Sequence, residues 1–134
     1  MIEYRTTLDD LQDQHLEGFF VDWPKSPSVA SHRKMLEGSY RRVLAFADDQ
    51  LVGFVYAISD GVLSAYIPLL EVKPPYQGQG IGGELLRRLV DQLTDLYMID
   101  LVCDPSLIPY YEKQGMSPLA GMAFRNYQTL EGPC

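Results

Sequence analysis

Leu70-Glu71-Val72-Lys73-Pro74-Pro75-Tyr76-Gln77-Gly78-Gln79-Gly80-Ile81-Gly82-Gly83 is the stretch on which the reading of this chain turns. It opens as a strand, is stopped by two prolines, and passes through four glycines into a helix. The helix is legible downstream. Ile81, Leu85, Leu89, Leu93 and Leu96 repeat at helical spacing, while Arg87, Arg88, Asp91 and Asp95 fall on the wet side. Glycine permits positive φ and lets a ligand approach the backbone closely. A helix start adds unpaired N–H groups and the positive end of the dipole. Together these make an anion site suited to a pyrophosphate.

Working outward, Met98 to Cys103 reads as a strand. A helix from Leu107 to Gln114 follows, with Ser106 as its expected cap, Pro109 in its first turn and Gly115 at its left-handed end. Upstream, Val43–Ala47 and Leu51–Ile58 are short apolar runs joined by Asp48-Asp49-Gln50. Ser59-Asp60-Gly61 then turns into Leu63–Val72, which makes a three-stranded antiparallel meander. Nearer the start, Ile2–Thr6 is a candidate strand. Thr7-Leu8-Asp9-Asp10 fits a capping box, and Leu8, Leu11, His15, Leu16 and Phe19 keep a helical period. After the proline-stiffened loop Asp22–Pro27, Val29–Tyr40 is a second helix, and the tail Met116–Leu130 has room for one or two strands. The expected order is β-α-α-β-β-β-α-β-α-β. This is an α/β chain with a mixed, mostly antiparallel central sheet flanked by helices, and its 134 residues suit a single domain, 1–134.

Composition narrows the function. A net charge of −7 and a pI near 4.6 argue against a nucleic-acid partner and permit a cationic one. No apolar run approaches the roughly 18 residues of a membrane span, so no membrane partner is expected. Met1–Asp10 does not read as a signal peptide, and the expected location is cytoplasmic. Cys103 sits in an apolar run, and Cys134 is terminal and expected to be mobile. Two cysteines, with His15 and His32 far apart on expected helices, suggest neither a disulfide framework nor a metal site.

The glycine loop admits three cofactor readings. A nucleotide-hydrolysing loop ends in Gly-Lys-Ser/Thr, and Gly82-Gly83-Glu84 excludes it. The dinucleotide fingerprint is met letter for letter by Gly78-x-Gly80-x-x-Gly83, with Asp104 downstream. That fold, however, usually opens with this unit, whereas here the loop follows a meander and precedes one further βα unit. The third pattern is Leu70-x-Val72-x-Pro74 followed by Gln77-x-x-Gly80-x-Gly82. It resembles the coenzyme A signature of the GNAT superfamily of N-acetyltransferases. Tyr110-Tyr111-Glu112-Lys113-Gln114-Gly115-Met116 resembles that family's second block. The motif resemblance runs from Leu69 to Met116.

The resemblance implies acetyl-CoA as cofactor, held where two parallel strands splay apart. Leu70 and Val72 would meet the pantetheine arm, and the N–H groups of Gln77, Gly78, Gln79, Gly80, Ile81, Gly82 and Gly83 would hold the pyrophosphate. It implies direct attack of a primary amine, from a small molecule or peptide, on the thioester. Tyr111 occupies the family's general-acid position. The family's usual glutamate is replaced here by Tyr66, leaving Glu71, Asp60 or a water chain as base. Glu71 is the candidate on this strand, although alternation with Leu70 and Val72 sets it on the opposite face. Asp104 stands where the family often has Asn, and an Asp does not donate as an amide does. Trp23, Phe19, Phe20 and Tyr66 are candidates for an acceptor pocket, although Phe19 and Phe20 read more readily as core. The central region hints at an arylalkylamine or polyamine acceptor, and the family extends to homodimers. A non-catalytic acyl-CoA sensor and a dinucleotide-binding oxidoreductase are the rival classes.

Overall fold

The computed structural model describes residues 1–129. Leu130 and Cys134 lie outside the described residues. Five strands form one sheet in chain order: β1 (Ile2–Arg5), β2 (Arg41–Ala47), β3 (Gln50–Ser59), β4 (Ser64–Val72) and β5 (Met98–Asp100). The first four pair antiparallel, and β4 with β5 parallel. The helices are α1 (Val29–Glu37), α2 (Ile81–Asp91) and α3 (Ile108–Lys113). The expected α/β architecture is therefore present, antiparallel through the meander and parallel across the α2 crossover.

The two faces of the sheet carry separate cores. The α2 stripe lies on one, where Leu85, Leu86, Leu89 and Leu93 are buried against Val43, Val52, Val55 and Ile67. Burial of each such leucine stabilises by about 1.5–3 kcal/mol, so this stripe anchors the glycine loop that precedes it. The other face is covered by α1 and the segment before it, through Leu11, Leu16, Phe19, Phe20 and Leu36 against Leu44, Phe46 and Phe54. Ser28 caps α1 by accepting the Ser31 N–H at 3.0 Å.

Three expectations are corrected. The first helix is absent: Leu8–Phe19 holds a single 3-10 turn, Asp13–Leu16. Asp10, Gly18 and Phe20 adopt positive φ, which a helix does not accommodate, and Thr7 bonds Asp9 instead of closing a capping box. The apolar residues still reach the core because the aromatic cluster beneath them rewards burial in any backbone geometry. The helix after β5 begins as a 3-10 turn, Pro105–Leu107, and Ser106 does not cap α3, which has no side-chain cap bond. No strand forms between Met116 and Thr129 among the described residues.

The sheet opens at a definite place. β4 and β5 pair only at Ser64–Met98, Ala65–Ile99 and Tyr66–Asp100. Beyond that point β4 runs on to Val72, paired with β3 alone. Pro68 has no N–H to offer a ladder. On its inner side the register slips, so that Ile67 and Pro68 together face Ala57. A bulge at this point re-aims the strand, and the chain from Leu101 to Asp104 parts from it.

Candidate active site

A cavity of about 760 Å³ occupies this opening. Leu70, Val72, Gln77 and Asp104 line it, as do Glu71 and Tyr111, so the candidate acid and base share one space. Phe19 and Trp23 line the end built by the loop before α1, together with Asp22. Phe20 and Tyr66 do not line it: Phe20 is buried among Trp23, His32 and Phe54, and Tyr66 pairs opposite Asp100 in the sheet.

At the loop end, the N–H groups of Gly78, Gln79, Gly80, Ile81, Gly82 and Gly83 have no hydrogen-bond partner among the described residues; the first bond of the helix is Glu84 N–H to Gly80 C=O, 3.1 Å. Gly78 and Gly80 hold φ of 78° and 86°, a region costly for any residue with a Cβ. Gly82 and Gly83 serve close approach instead. A Cβ on Gly82 would stand 2.7 Å from Tyr110 Oη, and one on Gly83 would stand 3.0 Å from Gln114 Nε2. Those two glycines let α3 pack on the first turn of α2. Gln77 is more architectural than the motif implies. Its side-chain amide donates to Val72 C=O at 2.8 Å and its backbone N–H donates to Pro74 C=O at 3.2 Å. The Gln77 N–H is therefore occupied, and the free donors run from Gly78 to Gly83.

Glu71 reaches the face opposite Leu70 and Val72, as alternation requires, yet still lines the cavity at the open end of β4. Its Oε1 accepts the Phe20 N–H at 2.9 Å. Desolvation raises its pKa, and the Phe20 bond opposes that more weakly. Asp60 is engaged elsewhere. Its Oδ1 accepts the N–H groups of Val62, Leu63 and Ser64 at 2.8, 3.0 and 3.3 Å, which lower its pKa and lock the β3–β4 turn. Tyr111 is pushed up to about 12, chiefly by desolvation, then by Tyr110 and Cys103. Tyr110 meets it edge-on at 5.0 Å and turns its hydroxyl toward Gly82. Asp104 makes no side-chain cap bond and stands exposed at the cavity rim.

The cavity also holds residues that the sequence did not assign to a site: Asp22, Lys73, Cys103 and Arg125. Lys73 occupies the free position between Val72 and Pro74, where a motif carries no information. Its ammonium sits 4.8 Å from the Phe19 ring centroid, and burial lowers its pKa. No group of His, Cys, Asp and Glu among the described residues is arranged to hold a metal.

The splayed strand pair thus adjoins a helix start with unpaired donors, and a phenol and a carboxylate share the cavity between the strands. Residues 8–116 match the model of the acetyltransferase (GNAT) family, and the chain belongs to that family. A putative acetyltransferase from Deinococcus radiodurans superposes with a TM-score of 0.94 at 42% identity, covering 98% of this chain and 92% of that one. An N-acetyltransferase of Prochlorococcus marinus described as uncharacterized and ycf52-like is 32% identical over 101 residues, 71% of this chain and 56% of its own. The chloroplastic GCN5-related N-acetyltransferase 2 of Arabidopsis thaliana is 36% identical over 116 residues, 71% of this chain and 45% of its own. The chain thus spans about half the length of these two relatives. Among the described residues no helix is long and apolar enough to cross a membrane.

Proposed function

We propose that residues 1–134 act as one acetyltransferase domain that transfers an acetyl group from acetyl-CoA to a primary amine. The observation that carries this is the row of six N–H groups, Gly78 to Gly83, unpartnered among the described residues and following directly on Gln77, which lines the cavity that also holds Glu71 and Tyr111. Those donors fit a pyrophosphate, and the unpaired outer edge of β4 from Ile67 to Val72 fits an amide-bearing arm laid beside it. When bound, the cofactor supplies an acetyl group activated as a thioester.

The residues divide the remaining work. Glu71, held by the Phe20 N–H and raised by desolvation, takes a proton from the acceptor nitrogen. Its bond to Phe20 fixes its position, and its raised pKa brings it nearer the range useful to a base. Tyr111 donates its O–H hydrogen bond toward the departing sulfur. A phenol near 12 is a weaker acid than a thiol near 8.5, so it stabilises the developing thiolate by hydrogen bonding ahead of complete transfer. Asp104 shapes the rim. Asp22 and Glu71 place two carboxyls at the acceptor end, beside Phe19 and Trp23, which suits an amine carrying an aromatic or long apolar body.

The test is release of free thiol from acetyl-CoA across a panel of arylalkylamines, polyamines and lysine peptides. Turnover with at least one primary amine is expected. Tyr111→Phe should lower kcat about a hundredfold while leaving KM for acetyl-CoA nearly unchanged. Binding of acetyl-CoA with no turnover on any amine would favour a sensor, and turnover undiminished in Tyr111→Phe would remove the phenol from the chemistry.

A further inference from the structure

Glu71 and Lys73 stand two residues apart on and just after β4, so both leave the chain on the face opposite Leu70 and Val72. Leu69, of the same parity, packs into the core that Phe19 and Phe20 cover on that face. Both charged side chains line the cavity. They do not pair with each other. Glu71 Oε1 accepts the Phe20 N–H at 2.9 Å, while the Lys73 ammonium lies over the Phe19 ring. Its stem runs beside Gly18, where a Cβ would stand 3.3 Å from Lys73 Cε and 3.6 Å from Nζ, so the bare backbone there makes room for it. The lysine backbone is fixed: its N–H donates to Val52 C=O and its C=O accepts the Tyr76 N–H, each at 2.8 Å. Lys73 has no ion pair among the described residues, and the carboxylate that acts on it from a distance, Glu17, does not line the cavity. Arg125 brings a second cation to the same cavity, its guanidinium bonded to Phe124 C=O at 3.2 Å and, among the described residues, to no carboxylate.

Given the acetyl transfer proposed above, on which this rests, we infer that the acceptor is an amine bearing a carboxylate on a neighbouring carbon, as an amino acid does, with its nitrogen at Glu71 and Asp22 and its carboxylate at Lys73. A plain amine would arrive as a cation and find Lys73 a like charge with nothing to offer it. An amino acid uses both signs. The spacing agrees. Two residues along a strand stand roughly 6.6 Å apart, and an amine and a carboxylate on one carbon, with a charge-assisted hydrogen bond of about 2.8 Å at each outer end, span a similar length. The charge agrees as well. Asp22 and Glu71 balance Lys73 and Arg125, and Asp104 adds a negative charge at the rim, so a zwitterion fits where a phosphate dianion would be repelled. Position gives the lysine to the acceptor and not to the cofactor's phosphates. The free donors open α2, which packs on the other face of the sheet beside Leu70 and Val72, whereas Lys73 touches Gly18 and Phe19 in the loop before α1. Phe19 and Trp23 then meet the apolar body, which makes an aromatic amino acid the best match.

Matched pairs of amines that differ only in that carboxylate test this: tryptophan against tryptamine, and phenylalanine against phenethylamine, by thiol release at saturating acetyl-CoA. Wild type is expected to favour the amino acid of each pair by at least about tenfold in kcat/KM. Lys73→Met keeps an unbranched stem and loses the charge. In it the preference should vanish through a rise in the amino acid's KM, and Lys73→Arg should restore it. Binding gives the same answer without turnover. With CoA present, N-acetyltryptophan should raise the melting temperature of wild type more than N-acetyltryptamine does, and the two should act alike on Lys73→Met. Absence of turnover on every amine would contradict acetyl transfer, while this binding difference would still decide the class of ligand. An equal or reversed preference in wild type, a preference that survives Lys73→Met, equal stabilisation by the two N-acetyl compounds, or a rise in KM for acetyl-CoA alone in Lys73→Met would each overturn the inference.

Discussion

The two ends of the cavity use left-handed backbone in different ways. At the cofactor end the positive φ angles fall on Gly78 and Gly80, where they cost little beyond chain entropy. At the acceptor end they fall on Gly18, Phe20 and Asp22, and the last two carry side chains that resist them by about 1–3 kcal/mol each. Something must hold that strain. The Phe20 N–H bonds Glu71, and the Phe20 ring is packed edge-on against Trp23, His32 and Phe54. The cofactor end is thus relaxed and generic, whereas the acceptor end is strained and over-determined by packing. Under the proposed function this is the end that selects the acceptor, and such local constraint is expected there.

If the acceptor end rests on its buried packing, acid should undo it. His32 is fully buried between Phe19, Phe20 and Phe54, and among the described residues neither ring nitrogen has a hydrogen-bond partner of good geometry. Burial lowers its pKa to about 4, against a smaller opposing pull from the Leu16 carbonyl. A lowered folded-state pKa means the unfolded chain binds the proton first. The stability is therefore complete above about pH 6.5 and is lost as pH falls toward about 4, by on the order of 3 kcal/mol. Denaturant titrations between pH 7 and pH 4 should show this slope, and His32→Phe should flatten it. An unchanged slope in that variant would assign the acid sensitivity elsewhere.

Glu71 links the two ends and separates charge from geometry. Glu71→Gln keeps an oxygen for the Phe20 N–H and loses the carboxylate proposed as the base, so kcat should fall about thirtyfold with little change in thermal stability. Glu71→Ala also frees the strained Phe20 N–H, and its melting temperature should drop as well. Equal melting temperatures for the two variants would mean that the Phe20 bond does not hold the loop. At the cofactor end, Gly82→Ala drives a Cβ toward Tyr110 Oη and should weaken acetyl-CoA binding about tenfold, with partial recovery when Tyr110→Phe removes that oxygen. Tight binding in Gly82→Ala would show that the α2–α3 contact does not set the cradle. The smallest effect is Asp22→Gly. Relieving one left-handed residue should stabilise the fold by under about 1 kcal/mol while raising KM for the amine. A destabilised Asp22→Gly would remove strain from the account.

The same contrast explains what could be read in advance. Prolines, glycines and a leucine stripe write the cofactor end into consecutive residues, so Leu70 to Gly83 and the helix after it were legible locally. Pro68 was also in plain view and marks the point where β4 leaves β5, although its meaning depends on which strand lies beside it. The acceptor end is set by non-local packing. The period of Leu8, Leu11, His15, Leu16 and Phe19 suggests a helix, but Asp10, Gly18 and Phe20 turn the chain too sharply for one. Glu71 was identifiable as a carboxylate on the right strand, whereas its placement at the open end, with Phe20 fifty-one residues away as its anchor, was not. The glycines at 82 and 83 matched a cofactor motif, yet their immediate neighbours are Tyr110 and Gln114, a packing role that only the α2–α3 contact reveals.

The central claim is that the row of free donors from Gly78 to Gly83 serves coenzyme A and not a dinucleotide. Isothermal titration calorimetry of the full chain with acetyl-CoA, and in parallel with NAD, tests it most directly. Saturable binding of one acetyl-CoA per chain is expected, weakened about tenfold in Gly82→Ala, with no heat from NAD. Saturable NAD binding with none for acetyl-CoA would contradict the account.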